Sequence, residues 1–93
     1  MILEVAILPI KKGFSEDFEK SFLLAQNIIS SMKGYVSHQL KKCIETDSKY
    51  ILLVNWETLE AHEIGFRKSK EYQQWKELLH HYYEPFPTVE HYK

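Results

Sequence analysis

Tyr50-Ile51-Leu52-Leu53-Val54-Asn55-Trp56-Glu57 is apolar at odd and even positions alike, and polar residues bound it on both sides, Thr46 to Lys49 before and Thr58 after. Eight such residues read as a β-strand. Successive strand side chains leave on opposite sides, so this strand shows apolar groups on both faces, and Asn55 and Trp56 point in opposite directions. Ile2 to Ile10 repeats the pattern, broken by Glu4 and stopped at Lys11-Lys12-Gly13. Between the two lies a helical period: Phe14, Phe18, Phe22, Ala25, Ile29 and Met32 recur every three or four residues, about five turns. Ser15 is the expected N-cap, and Lys33-Gly34 the C-terminal close. Tyr35 to Glu45 alternates imperfectly and reads as a second strand, paired with Tyr50–Glu57 as an antiparallel hairpin. Downstream, Thr58 caps a short helix with Leu59, His62 and Phe66 on one face. Ser69 caps another, with Tyr72, Trp75, Leu79 and Tyr82 in a stripe and Leu78 and Tyr83 beside it. Pro85 and Pro87 end that helix, and Thr88 to Tyr92 forms a last strand at a sheet edge.

The order β-α-β-β-α-α-β is the ferredoxin-like α+β plan, an antiparallel four-stranded sheet with helices on one face, and the 93 residues read as one domain over 1–93. Such a sheet leaves one face open, yet its first and third strands are apolar on both. A second copy of the chain covering the open face resolves the conflict. The expectation is therefore a homodimeric barrel joined sheet to sheet.

Composition narrows the function. The formal net charge of −1 lacks the basic footprint of a nucleic-acid or membrane-surface binder. No apolar run reaches the ~20 residues of a membrane span, the first residues lack the basic start of a signal peptide, and the single Cys43 makes no intramolecular disulfide; a soluble cytoplasmic protein is expected. Aromatic residues make up 14% of the chain, which suits either dense packing, a pocket wall or a partner surface.

The order of elements, together with Lys12-Gly13, Gly34-Tyr35, Tyr50 through Asn55-Trp56-Glu57, Glu60-Ala61-His62 and Pro87 to Tyr92, resembles the antibiotic biosynthesis monooxygenase family over roughly residues 2–92. The resemblance implies a ferredoxin-like protomer, a homodimer through the sheets, and a pocket between each sheet and its helices. Some members oxygenate aromatic polyketides or quinols with O2 and no cofactor, while others degrade haem or isomerise small signalling molecules. The haem-degrading branch uses an Asn, a Trp and a His at positions that fall here at Ala6, at Gly65 or Phe66, and near Lys76, so the resemblance disfavours that reaction.

Oxygenation without a cofactor needs a base, an apolar cleft and a partner for the oxyanion, because the substrate itself supplies the electrons. His62 is the candidate base, set on a buried helix face with an ordinary pKa of ~6.5; the plainer reading is a core histidine bonded to a carbonyl. Phe66, Tyr72 and Trp75 are candidate cleft walls, or simply core. His38 shares strand parity with Val36 and Leu40 and joins the candidates, as do Asn55 and Trp56, one facing the helices and the other the partner. Arg67 is a candidate anion partner, although Lys68 and Lys70 suit a solvated surface. No metal is expected: His80 and His81 diverge on a helix, Glu77 with His81 is only two ligands, and imidazoles near a helix C-terminus are favourable without a metal. Glu90 and His91 point oppositely, and Cys43 has no neighbouring base. The candidate function is a cofactor-independent monooxygenase of a small aromatic or quinol-like compound. The alternative is a non-catalytic dimeric protein that binds such a molecule.

Overall fold

The computed structural model describes residues Met1–Lys93. Its elements are β1 (Ile2–Pro9), α1 (Ser15–Ile29), β2 (Tyr35–Lys42), β3 (Lys49–Trp56), a π-helical segment (Ala61–Phe66), α2 (Lys70–Leu79), a 3-10 turn (His80–Tyr82) and β4 (Thr88–Tyr92). The strands form one antiparallel sheet in the order β2-β3-β1-β4, and β4 is an edge, as the prolines before it required. This is the ferredoxin-like α+β fold.

Parity sorts the two central strands as expected. Glu4, Ala6 and Leu8 of β1 and Tyr50, Leu52, Val54 and Trp56 of β3 are buried under the helices, while Leu3, Val5, Ile7, Ile51 and Leu53 are half-buried on the other face. Phe18, Phe22, Ala25 and Ile29 supply the buried stripe of α1. Deep burial of each such apolar side chain is worth ~1.5–3 kcal/mol.

Local details depart from the sequence reading. Ser15 is the first residue of α1 rather than its N-cap, and its hydroxyl donates to Ser48 Oγ at 3.3 Å. The helix runs from Ser15 to Ile29, so Phe14 lies before it, 45% exposed, and Met32 belongs to the turn beyond. Strand β2 stops at Lys42, short of Glu45. A bulge between Tyr35 and Ser37 puts Tyr35 and His38 on the helix side and leaves Val36 exposed, so the expected Val36–His38–Leu40 face does not form. Leu59 is also exposed, because the widened π-helical turn turns His62 and Phe66 inward without it.

One glycine fixes where that segment sits. Gly34 has a φ of +88°, and a Cβ there would lie 2.5 Å from Ala61 Cβ. Only glycine lets the start of β2 touch the segment that carries His62.

Candidate active site

The register of the sheet builds the site. Glu4 lies opposite His91 on β4 and opposite Val54 on β3, with Trp56 one diagonal away. The π-helical segment then lays His62 over this corner, stacked on the Trp56 ring at 5.3 Å between centroids and 19° between planes.

Glu4 is 5% exposed and His62 3% exposed. A buried carboxylate needs partners, and Glu4 has two: the Trp56 indole N–H donates to Oε1 at 3.0 Å, and His62 Nε2 stands 3.4 Å from the same oxygen. His62 Nδ1 is 2.8 Å from His91 Nε2, and His91 Nδ1 is 3.8 Å from Glu63 Oε1.

Charge in this corner is governed by burial. Burial pushes the Glu4 carboxyl above its ordinary value, while the Trp56 hydrogen bond and the Arg67 charge pull partly back. Burial, with help from Arg67 and His91, pushes His62 down to about 3. The expectation of an ordinary histidine pKa fails for that reason. His62 is a neutral imidazole at neutral pH, and its contact with Glu4 is not an ion pair. Of the two, Glu4 is the stronger proton acceptor.

Glu4 and His62 open onto a cavity of about 360 Å³, near the lower end of the ~300–1,000 Å³ typical of small-molecule sites. Ala6, Leu8 and Leu52 form its floor on the sheet. Tyr72 and Trp75 come from α2, and Tyr83 and Phe86 from the turn after it. Ser69 sets the start of α2 by accepting the Tyr72 backbone N–H at 3.1 Å. Arg67 also lines the cavity, and its positive charge acts on Glu4, His62 and Tyr72.

The candidates from sequence divide into three groups. His62, Tyr72, Trp75 and Arg67 line the cavity. Trp56 and Phe66 stand behind it, with Phe66 1% exposed and packed edge-on to Trp75 at 5.5 Å and Tyr72 at 5.2 Å. His38 and Asn55 lie elsewhere. His38 is held by Tyr35 Oη at 2.6 Å and Gln26 Oε1 at 3.2 Å beside a separate groove between α1 and β2. Asn55 is on the open face, where it donates to Ser37 Oγ at 3.0 Å. The choice left open by strand parity thus falls to Trp56 on the helix side.

Sequence reasoning missed Glu4, His91, His80, Tyr83 and Phe86. Glu4 was the one legible signal, a lone carboxylate in an apolar strand and in phase with Ala6 and Leu8. His80 stands at the end of α2 as expected and also lines the cavity, against Phe86 at 5.0 Å, where burial lowers its pKa. No three His, Cys, Asp or Glu side chains are grouped to hold a metal ion. No helix is long and apolar enough to cross a membrane.

The family model for antibiotic biosynthesis monooxygenases matches residues 1–78. The chain belongs to the antibiotic biosynthesis monooxygenase family. It is 58% identical, over 93 residues, to the uncharacterised protein YczJ of Bacillus subtilis (strain 168), covering 100% of this chain and 98% of that one. A solved structure from Bordetella bronchiseptica, assigned to the same family, superposes with a TM-score of 0.95 at 30% identity, covering 99% of this chain and 94% of the other. The fold is shared more distantly with SnoaB, a cofactor-independent oxygenase of Streptomyces nogalater, with a TM-score of 0.74 at 20% identity and coverage of 98% and 87%. It is shared also with the ActVA-Orf6 monooxygenase of Streptomyces coelicolor in complex with nanaomycin D, with a TM-score of 0.78 at 16% identity and coverage of 99% and 85%.

Proposed function

We propose that this protein is a cofactor-independent monooxygenase of a small aromatic, quinol-like compound, and that it works in the cytoplasm as a homodimer joined through the open sheet face. The observation that carries the reading is the buried Glu4–His62 pair opening onto an aromatic-walled cavity. Family membership and the folds shared with SnoaB and ActVA-Orf6 support it. The half-buried apolar row of Leu3, Val5, Ile7, Ile51 and Leu53 supports the dimer.

The chemistry follows from the groups present. A phenolic hydroxyl in the cavity gives its proton to the Glu4 carboxylate, which His62 and Trp56 hold in place, and Arg67 steadies the phenolate. The electron-rich ring carbon then bonds to O2, and the resulting peroxide takes a proton back from Glu4 to become a hydroperoxide. Loss of the C–H proton and cleavage of the O–O bond release water and leave a carbonyl, so one oxygen atom enters the product and the substrate supplies both electrons. Burial of the pair raises the basicity of Glu4, which is what deprotonation of a weak acid requires.

Metal-free protein with model hydroquinones or anthrones should consume O2 with formation of one quinone carbonyl per O2, and His62→Ala or Glu4→Gln should lower the rate by ~10²-fold or more. Uptake equal to buffer, or unchanged in both variants, rejects the catalytic assignment. Tight binding of the quinol without turnover identifies a binding protein instead.

A further inference from the structure

We propose that Glu4, His62, His91 and Glu63 form a proton relay that carries the substrate-derived proton from the cavity to the solvent edge of β4 and brings one back for the peroxide. The proposal deepens the monooxygenase reading and rests on it.

The four groups are spaced as a chain: the two imidazoles are hydrogen-bonded at 2.8 Å, and Glu4 and Glu63 stand 3.4 and 3.8 Å from the ends of that pair, gaps that a small side-chain movement or a water closes. Side-chain exposure is low at Glu4 and His62, 7% and 4%, and higher at His91 and Glu63, 17% and 45%. Glu4 is the buried end of the chain and Glu63 the exposed end, and His62 and His91 join them. The other charged and titratable groups on the cavity are Arg67, which does not release its proton, His80, whose imidazole burial holds below its ordinary value, and Tyr72 and Tyr83, whose phenols burial pushes up and so holds protonated.

The contact between the two imidazoles imposes a rule. One nitrogen of the His62 Nδ1···His91 Nε2 pair must donate and the other accept, so two neutral rings carry their protons on nitrogens of the same name. With both on Nδ1, protonated Glu4 donates to His62 Nε2, His62 donates to His91, and His91 Nδ1–H points to Glu63. Shifting each proton one step leaves Glu4 ionised, both rings protonated on Nε2, and one proton on Glu63 or in water. The count of protons is the same before and after, and no ring turns over. That suits His62, whose ring is stacked against Trp56. When the peroxide formed in the cavity takes a proton from Glu4, every shift runs in reverse, which returns both rings to Nδ1 and draws one proton inward from Glu63 or water.

Two measurements on the full chain test this. In protein labelled with 15N-histidine, long-range 1H–15N correlation at pH 8 should show His62 and His91 protonated on the same-named nitrogen, and Glu4→Gln, which keeps an acceptor oxygen but takes up no proton, should hold both on Nε2. Opposite-named nitrogens, or a His91 signal averaged between tautomers, overturn the relay even if the enzyme turns over. In the oxygen assay, His91→Gln keeps a hydrogen bond to His62 but passes no proton; it should lower kcat ~10-fold or more with KM unchanged, and added imidazole should restore part of the loss. His91→Phe should do the same, and an unchanged kcat in a folded His91→Gln protein overturns the relay. If wild-type protein shows no turnover at all, the monooxygenase reading fails, and the tautomer measurement still decides whether the proton path exists.

Discussion

Two hollows lie between the helices and the sheet, and each holds a histidine, but they differ in what surrounds the imidazole. His62 lies in the buried corner against Trp56, Glu4 and His91, 3% exposed and facing only the cavity. His38 stands over an open groove, tied to Tyr35 and Gln26, with its far side wet. Burial lowers the pKa of both, and carries His62 down to about 3. The difference teaches that the residue type is not what makes a site. A histidine with a buried carboxylate on one nitrogen and an outward path on the other has chemistry to offer; one that closes a hydrogen-bond pair at the surface does not.

That contrast is open to attack. The largest effect is expected from Trp56→Ala, which removes the ring stacked on His62 and the indole donor to Glu4, and leaves a cavity in the core. Urea unfolding should show a loss of ~3–5 kcal/mol, and a loss below ~1 kcal/mol would mean that the corner is not rigidly packed. Gly34→Ala comes next. The positive φ costs ~1–2 kcal/mol and the contact with Ala61 ~1–3 kcal/mol more, and movement of the π-helical segment should weaken turnover while His38 keeps its partners.

A smaller effect is the dependence of stability on pH. His62 is held neutral with a folded pKa of about 3 against 6.5 in the unfolded chain, so below 6.5 the unfolded state binds the extra proton. Its contribution is intact above pH 6.5 and is lost as pH falls from 6.5 toward 3. Glu4 works in the opposite sense: its raised folded value makes the native state take up a proton first, so stability is gained as pH falls through that value toward 4.5 and is lost again on the way up. Between pH 4.5 and 3 only the His62 loss remains. Wild type should lose stability in that interval more steeply than His62→Gln, and parallel curves would show that His62 is not held neutral. Least of all, His38→Ala should cost no more than ~1 kcal/mol and change O2 uptake less than twofold. A larger fall in turnover would erase the distinction between the two hollows.

The limits of the sequence reading are specific. Hairpin, helix stripes and edge strand are set by local period and punctuation, and their centres are where periodicity put them, while Phe14, Met32 and Tyr82 at the stripe ends fall outside α1 and α2. The bulge at Val36 is not local in that sense. It inserts one residue, reverses parity for everything before it, and so moves Tyr35 rather than Val36 to the side of His38. The π-helical turn does the same to Leu59. His91 illustrates the harder case, because its alternation along β4 was readable, while its place opposite Glu4 depends on the β1–β4 register, which spans most of the chain.

The ferredoxin-like order, the two-sided apolar strands and the inward face of His62 were legible from the residues alone, because strand and helix periods are properties of neighbouring residues. Only the tertiary structure decided that Glu4, Trp56, His62 and His91 meet, that His38 and Asn55 stand apart from them, and that His62 is neutral. Those outcomes depend on register and burial, which arise when distant segments exclude water from one another.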